Sequence, residues 1–419
     1  MSSTGFRDVS SLLAPRSITI TGAAPTPGNW AVRIAEELDR YSYAGPVTLV
    51  SPKHGPVPGR VTVERIEDVT TPLDHVVALV PAPRTVEVLE TAGSMGARSA
   101  TVIAAGFDEL GTAQGRELGA ALLDVAARHD IALCGPNCMG FLSYAAGVST
   151  FAQRYPRKTR RGSLGLVSQS GGMMGAIMRH IGDRGIGLAH AISTGNELNR
   201  DVADFMSHLA SDPETKAVAL VLEGVRRPEE FIRACELLHQ AGKPLIVLQS
   251  GRTERGQEAV KSHTGVLAAG GKTTDAVLRA VNAIQVDSVA ELVEVAELAT
   301  RIGPPPAPGL AVIALSGGAK NMIVDVEDDF DLPFATLTPK TLAALDGTLP
   351  VGTTVGNPMD IGMVGLSAPL RPTFLHVLDT LASDPGVGLI AIQHELPGED
   401  PPPSHLEGMA EAADLVTAH

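Results

Sequence analysis

Short apolar runs rich in β-branched residues alternate with longer segments in which apolar residues recur at helical spacing. In the first part of the chain each run has four or five residues and is separated from the next by enough chain for a helix. Runs without strict alternation are typical of strands buried on both faces of a parallel sheet. The runs are SITIT at 17–21, VTLV at 47–50, VVALV at 76–80, ATVIA at 100–104 and IALC at 131–134. They predict a Rossmann-like domain over residues 1–145.

The same pattern restarts after a basic, turn-prone stretch at 154–162 and predicts a second doubly wound domain over residues 160–302. Its apolar runs lie at 163–168, 187–193, 217–223 and 244–250. The stiff segment GPPPAPG at 303–309 then precedes a third unit at 309–419. We therefore predict an α/β fold in which a Rossmann-like domain is followed by two flavodoxin-like doubly wound parallel-sheet domains.

The third unit is short for a five-stranded α/β domain. Its last clear strand is VGLIAIQ at 387–393, and the chain then ends on a helix-like segment without a closing strand. We expect this domain to be incomplete and residue 419 not to be the natural C-terminus.

Charge and composition exclude several classes of protein. The formal net charge of −14 disfavours nucleic acid and anionic membranes as partners, because both need a basic field to displace counterions. Three cysteines in 419 residues are no disulfide framework. The N-terminus lacks the pattern of a signal peptide, and no apolar run reaches the ~18 residues of a membrane span. A reducing, cytoplasmic setting is expected.

The loop after the first strand, ITGAAPTPGNW, is a candidate phosphate-binding turn. Gly22, Ala23 and Gly28 let backbone N–H groups approach a phosphate at the start of the next helix. Strand 2 ends in VSPK, which places Lys53 where nicotinamide dinucleotide enzymes carry an acidic residue for the ribose. A lysine suits the 3′-phosphate of coenzyme A. The alternative is a tight turn beside a surface lysine.

Three further strand ends lie on the same predicted edge of the sheet. VPAP places Val80 and Pro81 there, AAGF follows the next strand, and GPNCMGF places Asn137 after the last. Open α/β sheets bind ligands at the carboxyl ends of their strands, so the convergence favours a binding site for a cofactor. Taken alone, GPNCMGF is equally well explained as a capped turn with a buried Cys138.

In the second domain, VSQSGGMMG indicates a strand, a loop and the start of a helix. Hydroxyl groups of Ser168 and Ser170, with the free N–H groups at Gly171 and Gly172, make an anion site of the size of phosphate. The alternative is an ordinary Ser-Gly-Gly helix entry.

Glu223 and His263 are a candidate catalytic pair. Glu223 ends the apolar run AVALVLE, where a buried strand would not carry a carboxylate without a partner. His263 lies in KSHTGVLAAGG, among small residues that offer an imidazole little to pack against. If both segments follow neighbouring strands, Glu223 can orient the ring and leave its other nitrogen nucleophilic. The alternative for Glu223 is a helix cap or a salt bridge to Arg226.

The motifs GPNCMGF, SQSGG, STGNELNRDVADF, LEGV, GRTERG, SHTGVLAAGG and VGNPMDIG in this order resemble the NDP-forming acyl-CoA synthetases, relatives of succinyl-CoA synthetase. The resemblance covers the chain from Ser17 onwards. It implies that orthophosphate attacks an acyl-CoA, that His263 takes the phosphoryl group from the acyl phosphate, and that Glu223 orients the ring. It also assigns phosphate to Ser168–Gly172, and coenzyme A to the first loop and Lys53.

The resemblance further implies partners for this chain. They are a small carboxylic acid, coenzyme A, and an ATP-grasp module that binds ATP or ADP with Mg²⁺. That module would be fused or on a separate subunit, because the three predicted domains already account for the sequence. An oligomer is also expected. The chain departs from the family pattern at Ala24 and Ala31, where the loop usually has Ser and Gly, which weakens the assignment of its contacts to coenzyme A.

Two other functions compete with this interpretation. A CoA-binding regulatory module of an acyltransferase would reuse the same architecture without ligase activity, but it would need neither Glu223 nor His263. A nicotinamide-dependent oxidoreductase is disfavoured by Lys53 and by the absence of a GxGxxG motif.

Overall fold

The computed structural model describes residues 5–155, 158–253, 255–256, 271–303, 305–314, 316–349, 355–362, 371–393 and 403–417. The chain divides into two units, Met1–Arg301 and Ile302–His419. Within the described residues, no helix combines the length and the apolar character that crossing a bilayer requires.

The first sheet has six parallel strands. They are β1 (Ile18–Thr21), β2 (Val47–Val50), β3 (Thr62–Val63), β4 (His75–Ala78), β5 (Ser99–Val102) and β6 (Ala132–Cys134). Their spatial order is β3-β2-β1-β4-β5-β6, which is the Rossmann order. All residues of β1 and β4 are buried, as expected for strands covered by helices on both faces. The predicted α/β fold with parallel sheets is confirmed.

The helices described beside this sheet are α1 (Ser10–Leu13), α2 (Trp30–Arg40), α3 (Ala82–Ser94) and α4 (Ala113–Arg128), with short 3-10 turns at Ile66–Asp68 and Asp108–Leu110. Two of these four helices, α2 and α4, begin at a residue whose side chain caps them. Asn29 accepts a hydrogen bond from Val32 N at 3.2 Å and so starts α2. Thr112 does the same for α4 by accepting from Gly115 N at 3.0 Å.

The second sheet has seven strands, and part of it comes from sequence within the predicted first domain. The strands are β7 (Gly140–Ser143), β8 (Val148–Ser149), β9 (Arg160–Ser168), β10 (Gly187–Ser193), β11 (Ala217–Leu222), β12 (Leu245–Gln249) and β13 (Ile284–Val286). Their order is β13-β12-β11-β9-β10-β7-β8. β7 pairs antiparallel with β10, placing Phe141 opposite Ile192. The domain boundaries at 145 and 160 remain predictions.

Among the described residues, the helices with full bounds beside the second sheet are α5 (Gly171–Arg184), α6 (Val202–Ser211), α7 (Pro228–Gln240), α8 (Gly271–Ala280) and α9 (Val289–Arg301). One hydrophobic cluster contains Ile20 of β1, Phe141 of β7 and Leu220 of β11. Because apolar residues of both sheets are buried together, the two sheets form one unit and the loops at their edges keep a defined relation.

The second unit has a small sheet of its own. Strands β14 (Gly309–Ala314), β15 (Met359–Asp360) and β16 (Val387–Ile392) are parallel in the order β15-β14-β16. Its described helices are α10 (Gly317–Phe330), α11 (Pro339–Leu345), α12 (Arg371–Ala382) and α13 (Pro403–Thr417). A separate core that includes Ile313, Phe374 and Leu378 holds these elements together.

Both sheets of the first unit have a switch point, where the chain order reverses direction across the sheet. In the first sheet β1 lies between β2 and β4, and in the second β9 lies between β10 and β11. Crevices outside the carboxyl ends of such strands are the usual ligand sites of open α/β sheets.

Candidate functional site

A cavity of about 990 Å³ lies where loops of the two sheets of the first unit meet. Loops that follow β1, β4, β5 and β6 line one side, and loops that follow β9, β10 and β11 line the other. The lining residues are Gly22, Gly28, Asn29, Trp30, Leu79, Val80, Pro81, Ile103, Ala104, Ala105, Asn137, Cys138, Met139, Gln169, Ser170, Gly171, Gly172, Gly195, Asn196 and Glu223. The structure thus brings together residues predicted from motifs up to about two hundred positions apart.

The turn after β1 needs glycine at its first position. Gly22 has φ +78°, and a Cβ added there would lie 2.6 Å from the Leu79 carbonyl oxygen. The Asn29 side chain donates from Nδ2 to Gly22 O at 3.2 Å while its Oδ1 caps α2. These two hydrogen bonds hold the turn against the start of α2. Gly22 and Gly28 both line the cavity.

Ala23 and Lys53 lie differently from the other predicted coenzyme A contacts. Ala23 is buried, and its backbone N–H donates to Val50 O at 3.1 Å, so its amide is used within the sheet. Lys53 is exposed in the turn after β2 and is not among the residues that line the cavity. Their predicted role in binding coenzyme A remains a prediction.

A second cavity, of about 420 Å³, adjoins the first because Gly22 and Val80 line both. Two arginines, Arg65 and Arg84, are among its lining residues. Neither arginine was singled out from the sequence, since an isolated surface arginine carries no motif.

Val80 and Pro81 lie at the start of α3, where Pro81 is the residue before the first helical turn. Asn137 follows β6 with φ +56°, and its backbone N–H donates to Ala104 O at 3.0 Å. These contacts bring the loops after β4, β5 and β6 to one edge of the cavity, as the motifs predicted.

A polar junction joins the loops of the first sheet to the loop after β10. Asn137 Nδ2 donates to Asn196 Oδ1 at 3.3 Å, and Asn196 Nδ2 in turn donates to the Glu109 carboxylate. The same carboxylate accepts from the backbone N–H groups of Gly106 and Phe107. Asn196 and Glu109 were missed in the sequence, because nothing local indicates that residues 87 positions apart meet.

The loop after β9 begins α5 as the SQSGG motif predicted. Ser170 is the N-cap and accepts from Met173 N at 3.4 Å, whereas the buried Ser168 hydroxyl donates to Ser170 O at 2.8 Å. Ser170, Gly171 and Gly172 line the cavity, and Ser168 lies beneath them without lining it. The first N–H groups of a helix have no acceptor within it, so this wall of the cavity can hold an anion.

Glu223 follows β11 and is half-buried on the cavity wall, next to the start of α5. Its backbone N–H donates to Gln169 Oε1 at 2.5 Å. Arg226, proposed above as a salt-bridge partner, has its Nε 4.0 Å from Glu197 Oε2. His263 lies outside the described residues, so its distance from Glu223 remains a prediction.

Glu197 is a buried carboxyl group behind this wall. It accepts from Gln169 Nε2 at 2.9 Å and from Thr194 Oγ1 at 2.9 Å. Burial, together with the nearby charge of Asp201, raises the pKa of Glu197 to about 8, although the hydrogen bonds and Arg226 oppose this shift. Sequence reasoning passed over Glu197, because a glutamate in a loop is ordinarily solvated.

Of the methionines, phenylalanines and cysteines near these loops, some line the cavity and others lie in the hydrophobic core. Met139 and Cys138 line the cavity, whereas Phe141, Phe151 and Met174 are fully buried. Hydrogen bonding to Cys138 and burial raise the pKa of the Cys134 thiol, which is therefore no thiolate nucleophile. Among the described residues, no cluster of His, Cys, Asp and Glu could hold a metal ion.

Two family models match this chain, one on each sheet of the first unit. A CoA binding domain matches residues 16–143, and the succinyl-CoA ligase like flavodoxin domain matches residues 161–299. The fold and the site therefore define a CoA-binding protein of the succinyl-CoA ligase type.

Curated relatives identify the family more closely. An ADP-forming acetate–CoA ligase of Archaeoglobus fulgidus is 30% identical over 90% of this chain and 54% of its own length. A trans-feruloyl-CoA synthase from an unknown prokaryotic organism is 29% identical over 92% of this chain and 54% of its own length. An alpha subunit of an ADP-forming acetate–CoA ligase of Pyrococcus furiosus is 27% identical over 96% of this chain and 86% of that subunit.

The chain carries a CoA binding domain and a succinyl-CoA ligase like flavodoxin domain, and these relatives include ADP-forming CoA ligases, in agreement with the resemblance predicted from its motifs. It spans about half the length of the first two of these relatives.

Solved structures agree with this fold. An acetyl-coenzyme A synthetase of Ca. Korarchaeum cryptofilum, in complex with phosphate and ADP, superimposes with a TM-score of 0.87. The match covers 98% of this chain and 87% of that one at 24% sequence identity. A protein of Pyrococcus horikoshii gives a TM-score of 0.80 at the same identity.

Proposed function

We propose that this chain is the CoA-binding and phosphohistidine-carrying part of an ADP-forming acyl-CoA synthetase. The full reaction interconverts a carboxylic acid, coenzyme A and ATP with acyl-CoA, ADP and phosphate. The observation that carries the proposal is one cavity lined by the turn after β1, the start of α5 and Glu223. A thioester and a phosphate can be held there side by side.

The first step is phosphorolysis of the thioester. A phosphate oxygen attacks the acyl carbonyl carbon, the carbon–sulfur bond breaks, and the thiolate of coenzyme A leaves and takes up a proton. Ser170, Gly171 and Gly172 support this step because their position at the start of α5 favours a bound anion. Holding the two reactants together removes most of the entropy cost of the encounter.

The second step transfers the phosphoryl group to His263. A ring nitrogen attacks phosphorus, the bond from phosphorus to the acyl oxygen breaks, and the carboxylate is released. Glu223 would accept a hydrogen bond from the other ring nitrogen, fix the tautomer and stabilise the charge that develops on the ring. Its place at the cavity, beside the proposed phosphate site, supports this role.

The nucleotide step requires a further module. We propose an ATP-grasp module that binds ADP or ATP with Mg²⁺, either elsewhere on the same polypeptide or on a separate subunit. Support comes from relatives of both kinds, one named an alpha subunit and others about twice as long as this chain. The three buried free cysteines fit the predicted cytoplasmic setting.

Labelling with radioactive orthophosphate tests the proposal. Incubation of the protein with acetyl-, butyryl- or benzoyl-CoA and labelled phosphate should produce a protein-bound label that is stable to alkali and labile to acid. His263→Asn should abolish the label, and Glu223→Gln should lower its rate of formation about 100-fold, as for loss of a group that supports acid–base chemistry.

Matched substitutions on α7, His239→Asn and Glu236→Gln, should leave the labelling unchanged. A label that survives His263→Asn would contradict the assignment. If the wild-type protein binds coenzyme A but takes no label from any of these thioesters, the chain is instead a CoA-binding regulatory module.

A further inference from the structure

Gln169 lines the cavity and its side chain connects three loops. Its Oε1 accepts from the backbone N–H groups of Glu223 and Gly224 at 2.5 and 3.0 Å. Its Nε2 donates to Gly224 O at 2.8 Å and to Glu197 Oε2 at 2.9 Å. A primary amide has two acceptor positions and two donor hydrogens, so the hydrogen-bonding capacity of Gln169 is fully used.

These contacts continue the pairing between β9 and β11 beyond the end of the strands. Val221 lies opposite Ser168 in the parallel register, and Gln169 N donates to Val221 O at 3.3 Å. After this point the side chain of Gln169 replaces the backbone as the partner of residues 223–224. The orientation in which the chain leaves β11 therefore depends on this one side chain.

Glu197 sets the orientation of Gln169 in turn. Its second oxygen, Oε1, accepts from Thr194 Oγ1 at 2.9 Å and from Val202 N at 3.1 Å, which ties the carboxyl group to the residue after β10 and to the start of α6. The residue is 3% exposed and has φ +55°, which is unusual for a side chain of this size. A buried residue in a left-handed conformation is held there by its surroundings, and such positions cluster at functional sites.

The protonation state of Glu197 is compatible with its position near the proposed phosphate site. Burial and the nearby charge of Asp201 raise its pKa to about 8 although Arg226 opposes the shift, so the group is largely neutral at pH 7. A neutral carboxyl group can still accept from Gln169 Nε2 through its unprotonated oxygen, and it adds no negative charge beside a bound phosphate.

We propose that Gln169 and Glu197 are positioning residues for Glu223: Glu197 holds the amide of Gln169, and Gln169 holds the backbone from which the Glu223 carboxylate projects. The inference rests on the proposed phosphoryl transfer to His263, and both residues act on that step through Glu223. A displacement of about 1 Å at a catalytic group can reduce the rate about 100-fold, so loss of this support should be visible in the rate.

The test compares Gln169→Leu and Glu197→Ala with two reference variants. Glu197→Gln retains an oxygen that can accept from Gln169 Nε2. Gln285→Leu makes the same change as Gln169→Leu at a half-buried glutamine of strand β13 in the same sheet. Initial labelling rates with acyl-CoA and radioactive phosphate are measured at saturating concentrations, together with the dissociation constant of coenzyme A by calorimetry.

Gln169→Leu and Glu197→Ala should label about 10- to 100-fold more slowly. Coenzyme A affinity should change less than about twofold, because neither Gln169 Nε2 nor Glu197 supplies a group to the turn after β1. Glu197→Gln should recover most of the rate, and Gln285→Leu should match the wild type. Equal labelling by Gln169→Leu and the wild type would overturn the inference.

Hydrogen–deuterium exchange separates this inference from the proposed function. The amides of residues 223 and 224 should exchange about tenfold faster in Gln169→Leu, since each loses its acceptor, and also faster in Glu197→Ala. If no thioester labels the wild type, the proposed function fails. Unchanged exchange in both variants refutes the positioning role whatever the labelling shows, and circular dichroism identifies any variant that has lost its fold.

Discussion

At the scale of single residues, the site depends on backbone positions that tolerate no side chain. Gly22 combines a positive φ with a carbonyl oxygen that would lie 2.6 Å from an added Cβ, whereas Gly59 has φ +72° and open space around it. Both glycines carry the same conformational constraint, but only Gly22 also faces a steric conflict with backbone. Alanine substitutions at Gly22 and Gly59 therefore separate the effect of the steric conflict from the effect of the positive φ.

Gly22→Ala should lower the free energy of unfolding by about 2–4 kcal/mol, and Gly59→Ala by about 1 kcal/mol, because only the first adds a clash to the strain of a positive φ. Urea denaturation of both variants measures the difference. Gly22→Ala should also weaken coenzyme A binding, since the turn must open to relieve the clash. Equal losses of stability would contradict the steric argument.

Glu197 gives the protein a pH dependence of opposite sign to that of most carboxylates. Its pKa is near 4.5 in the unfolded chain and is raised to about 8 in the fold, chiefly by burial. Between these values the folded state holds a proton that the unfolded state has lost. The group's contribution is therefore greatest below about pH 4.5 and decreases as the pH rises towards 8.

Glu197→Gln should remove this decrease. Urea denaturation of the wild type and the variant between pH 5 and 9 should show the variant gaining about 2–4 kcal/mol relative to the wild type across that range. The comparison uses the slope of the free energy of unfolding with pH, so a loss of stability that is the same at every pH does not affect it. Parallel curves would show that Glu197 titrates normally.

At the scale of elements, the hydrophobic pattern predicted most of the strands whose following loops form the site. The run at 187–193 corresponds to β10 (Gly187–Ser193), and the helix expected after the first loop is α2, which begins at Trp30. Asp201, which precedes α6, accepts from Ala203 N at 3.0 Å and caps this helix.

The hydrophobic pattern did not predict which sheet contains strand β7. Its residues follow the GPNC turn and read as the end of the first domain, yet Gly140–Ser143 extends the second sheet. A short apolar segment is compatible with either sheet. The antiparallel register with β10 depends on residues about fifty positions away, which a local pattern does not contain.

At the scale of the whole molecule, all described residues that line the cavity belong to Met1–Arg301. That unit contains both sheets and a shared hydrophobic cluster, while the second unit has its own core. Binding of coenzyme A should therefore be a property of the first unit.

A fragment of residues 1–301 should fold and bind coenzyme A with a dissociation constant within about twofold of that of the full chain, because no described contact of the cavity is removed. Isothermal titration calorimetry with the fragment and with the full chain makes the comparison. A fragment that folds, as judged by a cooperative thermal transition, but does not bind would show that the second unit contributes to the site.

The sequence by itself determined the α/β class, the strand ends that carry the loops, the family, and the candidate pair Glu223 and His263. Each of these depends on residues close together in the chain, where periodicity, capping and motif spacing act. Only the tertiary structure decided that Asn196 meets Glu109, that Ser168 lies beneath the cavity wall, and that Gln169 and Glu197 support Glu223. Those contacts depend on strand order and register, which bring together loops that are distant in sequence.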